Sequence, residues 1–349
     1  MQIMDVTLRD GSYAINFQFS EYDTEKICSG LNGAGIKYIE IGHGMGLEAS
    51  SPAGGLALCT DAEYLQAAKR AVPDAKYGMF CIPTYASVDS LDLLKENGAS
   101  FVRVGSNVSE VETTKEYIER AKALGLEVMA NYMKSYVATP EEFAENVKKS
   151  ESWGADVVYV VDSAGSMDSH DVEKYFEAVK KVSNIKVGFH GHNNLGLAVA
   201  NSIYAMDLGY DFVDTAMLGM GRSAGNAATE LFVGNLVKRK MAEEIELDKI
   251  MECAEKYVRP LMKHYPNALD LYCGIAQFHT SYMKYIQKYS MKYRVNPLKL
   301  ILEYSEYDKV NMDEAALDKI ASGMAKDENC VLTDFGFNEY IGDEQNGRK

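Results

Sequence analysis

The chain has 349 residues, 47% of them hydrophobic, which excludes disorder as its main state and leaves room for one large domain or two ordinary ones. Its 36 Lys and Arg stand against 51 Asp and Glu, a net charge of −15, and an acidic surface argues against nucleic-acid or anionic-membrane partners. An anionic small molecule stays possible wherever an Arg or a metal reverses the field inside a cleft. The six cysteines (Cys28, Cys59, Cys81, Cys253, Cys273, Cys330) include no C-x-x-C pair, so neither a zinc ribbon nor a dithiol redox site is expected, and their scatter through apolar segments fits reduced, buried thiols. No signal-like opening and no run of about 18 apolar residues is present, so a cytoplasmic, non-membrane protein is expected.

Short apolar runs rich in β-branched residues recur at 3–8, 37–42, 77–82, 101–104, 127–132, 156–162, 186–190 and 211–216. They are nearly continuous rather than alternating, the pattern of strands covered on both faces in a parallel sheet. Helical patterns lie between them. Residues 60–71 and 139–153 each open on Thr with Glu three positions later, a capping-box signature. Gly35, Gly98, Gly125, Gly154 and Gly209 each fall where a helix should end before the next strand. Eight such units at roughly 30 residues each give the count of a (β/α)8 TIM barrel. The first strand runs into Arg9-Asp10-Gly11, which is no dinucleotide-binding loop, so a doubly wound sheet is disfavoured. We therefore expect a barrel over 1–240 and a helical C-terminal region over 241–349, helical in pattern from 245 to 326, with Tyr282, Tyr285, Tyr289 and Tyr293 at helical spacing. The polar tail 341–349 is expected to fray.

A barrel of this kind carries its active site at the C-terminal ends of the strands. Those ends hold Arg9-Asp10, Glu40 with His43, Asn131-Tyr132, Asp162-Ser163, His190-Gly191-His192, and Asp214 followed by the Gly-rich stretch 219–226. His190-x-His192 is the sharpest signal. In extended backbone, residues i and i+2 share a side, so both imidazoles can face one ion, and Asp10 lies further round a closed barrel. Two nitrogens, one carboxylate and open positions make a catalytic-type site for a divalent ion, with manganese, magnesium, cobalt and zinc all compatible. The alternative is one packed and one solvated His. Arg9 is either an ion pair closing the strand or a guanidinium aimed at substrate. The Gly-rich stretch either binds phosphate at a helix N-terminus or lets the backbone turn tightly. Asn226 either caps the next helix or offers the ion a neutral oxygen.

The segments DVTLRDG (5–11), EIGHGMG (40–46), VDSAG (161–165), GFHGHNNLGLAVANSI (188–203) and GMGRSAGNAATE (219–230) resemble the metal-dependent lyases and synthases built on a TIM barrel. That superfamily contains hydroxymethylglutaryl-CoA lyase, isopropylmalate synthase and 4-hydroxy-2-oxovalerate aldolase, and the likeness is greatest to the aldolase branch, extending to Leu271-Tyr272-Cys273-Gly274. The resemblance implies Asp10, His190 and His192 as metal ligands, Asn226 as a fourth, and manganese(II) as the ion. It implies Arg9 as the enolate-stabilising group, Ser163 as a residue holding the pyruvate unit, and Tyr272 on the aldehyde side. It also implies a helical region that contacts an aldehyde dehydrogenase or another copy of the chain. In one place the sequence departs from the pattern: where the aldolases carry a His two residues after Arg-Asp-Gly, this chain has Tyr13. A phenol titrates near 10, against about 6.5 for imidazole, so Tyr13 would need a nearby cation to serve as base. Tyr13, His43 and Tyr272 are the base and proton-shuttle candidates. The expected activity is aldol cleavage of a 4-hydroxy-2-oxo acid to pyruvate, or a related 2-oxo acid, and an aldehyde. The alternatives are a Claisen-type acyl-CoA synthase or lyase, and a barrel without catalysis that serves as a scaffold.

Overall fold

Each of the eight apolar runs forms a strand, and the strands close in sequence order into a parallel barrel: β1 Gln2–Asp5, β2 Tyr38–Ile41, β3 Lys76–Cys81, β4 Phe101–Asn107, β5 Glu127–Met133, β6 Val157–Asp162, β7 Lys186–Gly191 and β8 Phe212–Thr215. The ring closes by β1 pairing with β8 through Gln2–Phe212, Ile3–Val213, Met4–Asp214 and Asp5–Thr215. The computed structural model describes residues 1–52, 54–72, 75–262, 267–327, 337 and 340; the expected fraying tail at 341–349 lies outside them.

β1 ends at Asp5, short of the expected residue 8. The amides of Arg9, Asp10 and Gly11 all donate to the Val6 carbonyl, and Asp5 Oδ1 accepts the Thr7 amide at 2.9 Å. These bonds curl the chain into a short 3₁₀ segment at Asp10–Ile15, which turns Arg9 and Asp10 back over the barrel mouth. The two capping boxes form as expected: Thr60 caps the helix Asp61–Ala71 and Thr139 caps Pro140–Trp153, each worth about 1 kcal/mol. Gly154 and Gly209 end their helices in left-handed backbone.

The barrel interior is layered. Met4, Tyr38, Phe101, Met129, Val157 and Phe212 form an apolar floor, with Tyr38 edge-on to Phe212 at 5.0 Å. Above it lies a charged layer from the next inward positions, Glu40, Arg103 and Asp214, all with side chains at most 1% exposed. The apolar core between strands and helices runs on to Ile250, Cys253, Ala254 and Val258, beyond the expected boundary at 240, because the helix Leu247–Cys253 packs against the helix Glu21–Gly33. A second core begins at Leu269 and gathers the helices Ala268–Ala276, Met283–Tyr293, Pro297–Ser305 and Glu314–Gly323. Tyr282 and Tyr289 are buried in it and Tyr285 and Tyr293 lie against it, the helical spacing read from the sequence. Among the described residues, no helix is long and apolar enough to cross a membrane.

Candidate active site

The strand ends and the turn after β1 bring Asp10, His190 and His192 together, all buried, with one ligand atom from each within 4.8 Å of the others. The backbone fixes the imidazoles through their second nitrogens. Nδ1 of His192 lies 3.1 Å from the Gly225 carbonyl, which can only accept, so Nδ1 carries the proton. Nδ1 of His190 lies 2.8 Å from Asp214 Oδ2, and a carboxylate likewise takes the proton's acceptor role. A neutral ring held in this way leaves Nε2 with its lone pair, as a metal ligand requires. Burial is the main cause that pushes the His192 pKa down to about 3, which keeps the ring neutral. Burial alone would raise the Asp10 carboxyl, but the neighbouring positive charge, Arg9 first, outweighs it and holds the group well below the usual carboxylate range.

Asn226 fits the same set. Its Nδ2 donates to Asp10 Oδ1 at 2.9 Å and to the Met220 carbonyl at 3.0 Å, while its Oδ1 is buried without a hydrogen-bond partner. Such an orphaned acceptor is costly unless a cation or donor meets it. The capping alternative fails, because the next helix, Thr229–Lys238, has Ala228 at its N-cap and no side-chain cap. The Gly-rich stretch serves close backbone approach. A Cβ on Gly221 would stand 2.2 Å from Asn226 Nδ2 and 2.9 Å from Asp10 Oδ1, and Gly225 sits at φ +83° with the Gly219 carbonyl 2.1 Å from where a Cβ would be. The residues present therefore fit a divalent ion: one carboxylate and two imidazoles, with an amide oxygen that has no hydrogen-bond partner beside them.

Arg9 is both ion pair and cavity wall. Its Nε donates to Glu40 Oε2 and its NH1 to Asp10 Oδ2, each at 2.7 Å. Arg103 NH1 reaches the same Glu40 oxygen at 3.0 Å and Asp214 Oδ2 at 2.7 Å. A buried chain thus runs from Arg9 through Glu40, Arg103 and Asp214 to His190. Buried ion pairs add little net stability once desolvation is counted, and removing one partner costs about 3–5 kcal/mol. The chain is better explained as a device that fixes Arg9 and His190 than as one that stabilises the barrel.

The cavity at this mouth is lined by Arg9, Asp10, Tyr13, Gly44, Phe80, Ile82, Asn131, Met133, Val161, Ser163, His190, His192, Arg222 and His279. Of the proposed site residues, Arg9, Asp10, Tyr13, Ser163, His190 and His192 all reach it. Ser163 is held by its Oγ, which accepts the Lys134 amide at 2.9 Å.

His43 and Tyr272, the other two base candidates, do not line this cavity. Both nitrogens of His43 are engaged: Nδ1 accepts the Met45 amide and Nε2 donates to the Gly55 carbonyl, each at 3.1 Å. The ring stacks on Phe17 at 3.8 Å, and burial pushes its pKa down to about 4. It builds the loop after β2. Tyr272 is half-buried on its helix and absent from the cavity wall. That helix docks instead through Asp270, whose carbonyl accepts from Asn194 Nδ2 at 2.9 Å, and through Gly274, where a Cβ would meet Asn194 and Leu195 at 2.9–3.0 Å. The sequence reading did not assign Arg222 or His279 to the site. Arg222 stood inside a recognised motif, but His279 sits in an apolar stretch with nothing local to mark it.

A closed parallel barrel with an aspartate, two histidines of an H-x-H pair and an arginine at its C-terminal mouth defines a class, the metal-dependent carbon–carbon lyases. Residues 1–256 match the profile of the HMGL-like family. The chain is 36% identical over 329 residues to 4-hydroxy-2-oxovalerate aldolase of Carboxydothermus hydrogenoformans, covering 93% of this chain and 98% of that one. It is 40% identical over 252 residues to oxaloacetate decarboxylase of Mycobacterium tuberculosis, covering 72% and 74%. The HMG-CoA lyase structure from Brucella melitensis shares the fold with a TM-score of 0.63 at 19% identity, covering 75% of this chain and 99% of that one. This protein belongs to the HMGL-like family, and it is an enzyme of that family's divalent-metal-dependent aldolase type.

Proposed function

We propose that the substrate is a 4-hydroxy-2-oxo acid, cleaved between C3 and C4 to pyruvate and an aldehyde, with manganese(II) as the working ion. The observation that carries the reading is the convergence of Asp10, His190 and His192 beside the Arg9 guanidinium on one cavity wall. When bound, a divalent ion supplies Lewis-acid polarisation of the keto and carboxylate oxygens and a template for them. Asp10, His190 and His192 would hold it, and the Asn226 amide oxygen would offer a fourth donor. Arg9 offers N–H donors to the C2 oxygen, where negative charge grows as the C3–C4 bond breaks. Ser163 orients the carboxylate. Tyr13, the base candidate on the cavity wall, takes the C4 hydroxyl proton as the aldehyde forms. The electron pair of the broken bond passes into the enolate, and a proton returned to C3 completes pyruvate.

The aldehyde product suits a partner docked at the helical C-terminal region, either an aldehyde-consuming dehydrogenase or a second copy of the chain. The five described cysteines are unpaired, in keeping with a cytoplasmic location. The test is direct. Protein stripped with EDTA, with and without added Mn(II), is incubated with 4-hydroxy-2-oxovalerate, and pyruvate and acetaldehyde are measured. Formation of both only in the reconstituted sample is the expected result. Equal activity without metal overturns the reading, as does a metal-loaded protein that cleaves no 4-hydroxy-2-oxo acid.

A further inference from the structure

Arg222 occupies a place that the reaction as described does not use. Its backbone amide donates to Asp10 Oδ1 at 3.2 Å, on the opposite carboxylate oxygen from the one that Arg9 holds. The two arginines therefore flank the ligand set. Arg9 lies below, fixed to the charged layer of the barrel. The Arg222 side chain stands on the outer wall, where NH1 donates to Thr280 Oγ1 at 2.7 Å and lies 3.5 Å from His279 Nδ1. Its NH2 lies 3.4 Å from the Ser163 carbonyl and 3.5 Å from His192 Nε2, the outer limit of hydrogen bonding. Whatever binds at His192 Nε2 is thus within reach of this guanidinium. Its central carbon is also 6.0 Å from the Tyr13 ring centre.

We infer that Arg222 binds a second carboxylate on the substrate, at C5, so that the preferred substrates are 4-hydroxy-2-oxo dicarboxylates and the aldehyde product is a 2-oxo acid of the glyoxylate type. The inference rests on the reading above, in which Arg9 serves the C2 oxygen and Tyr13 the C4 hydroxyl. C5 is one bond beyond C4, so with Tyr13 at the C4 hydroxyl the Arg222 guanidinium, 6.0 Å from that ring's centre, is the second arginine of the cavity wall within reach of C5. A planar fork of donors matches a carboxylate in two parallel hydrogen bonds, and it is poorly matched to a methyl group. A guanidinium beside a cation site is also favoured when an anionic group lies between the two charges. Cleavage of such a substrate balances as before: the C3–C4 bond breaks, the C4 hydroxyl proton leaves, C4 becomes the aldehyde carbon, and C3 gains a proton.

The test compares substrates that differ only at C5. With Mn(II)-loaded protein, kcat/KM is measured for 4-hydroxy-2-oxoglutarate and 4-hydroxy-2-oxovalerate in wild type, Arg222→Gln and Arg222→Lys. In parallel, calorimetry gives the affinities of 2-oxoglutarate and 2-oxovalerate, which lack the C4 hydroxyl and cannot be cleaved, and metal content is measured in each variant. The wild type is expected to favour the dicarboxylate in both ratios. Arg222→Gln should cut each ratio about 30-fold or more at unchanged metal content, and Arg222→Lys should restore part of it. If Arg222→Gln weakens 2-oxoglutarate and 2-oxovalerate equally, the guanidinium holds the C1 carboxylate and the proposal is wrong. Preference for 4-hydroxy-2-oxovalerate in wild type also overturns it and leaves aldol cleavage standing. Cleavage of neither substrate overturns the reading of the reaction, and the binding ratio then decides the role of Arg222 by itself.

Discussion

Oδ2 of Asp214 stands 2.8 Å from Nδ1 of His190 and accepts Arg103 NH1 at 2.7 Å through the same atom. One carboxylate oxygen thus orients the imidazole of a proposed metal ligand and ties it to the buried arginine that also holds Glu40, and through Glu40 holds Arg9. Burial would raise the Asp214 pKa, but Arg103 and then His190 outweigh it and keep it ionised. Asp214→Asn keeps the shape and removes the charge. Metal affinity should fall about 10- to 100-fold, the usual effect of losing a group that orients a ligand. Titration calorimetry with Mn(II) reads this, and an unchanged Kd would show that Asp214 serves only Arg103.

His192→Ala removes one of the three convergent donors. Bound metal should drop to background in elemental analysis, and cleavage should drop with it. The residue sits just past the end of β7 rather than in the apolar core, so the loss of stability should stay within about 3 kcal/mol. Retention of a full equivalent of metal would reassign His192 to packing.

Arg9→Lys keeps the charge and loses the fork that reaches Glu40 and Asp10 together. If Arg9 also serves the enolate oxygen, kcat should fall about 10²-fold or more, since one lost donor at a developing oxyanion costs roughly 3 kcal/mol. Near-normal turnover would leave it as a structural ion pair.

Tyr13→Phe should abolish aldol cleavage while sparing exchange of the pyruvate C3 protons with deuterated solvent, because forming the enolate from pyruvate does not need the C4-hydroxyl base. With a phenol as base the pH optimum should lie above that of an imidazole enzyme. A rate profile controlled by a group near pH 6.5 would exclude Tyr13.

His43 makes a pH-dependent contribution to stability. Its pKa falls from 6.5 to about 4 on folding because burial disfavours the imidazolium. Between those values the unfolded chain holds the proton and the folded one does not, so stability from this residue is complete above pH 6.5 and is lost as the pH falls towards 4. The difference in unfolding free energy between wild type and His43→Gln should therefore shrink by on the order of 3 kcal/mol across that window, at about 1.4 kcal/mol per pH unit. A pH-independent difference would mean that the ring is hydrated in the folded state.

Much of this protein is written in local pattern. Eight apolar runs, two Thr-x-x-Glu caps and the glycines after Trp153 and Leu208 suffice to place the strands and several helices, because strand burial, capping and left-handed helix ends depend on neighbours a few residues away. The H-x-H spacing of His190 and His192 is local in the same sense, since alternation along β7 puts both rings on one side. Tertiary structure decided the rest. Glu40, Arg103 and Asp214 lie on three different strands and become one charged layer only when the barrel closes, so no spacing in the chain announces their contact. His43 is a base candidate from its place at the end of β2, and its ring nitrogens are engaged by the Gly55 carbonyl and the Met45 amide, acceptor and donor that only the folded loop presents. Arg222 and His279 meet at the cavity because the second core packs the helical region over the barrel mouth, and contacts of that kind follow from the burial of whole surfaces rather than from any run of residues.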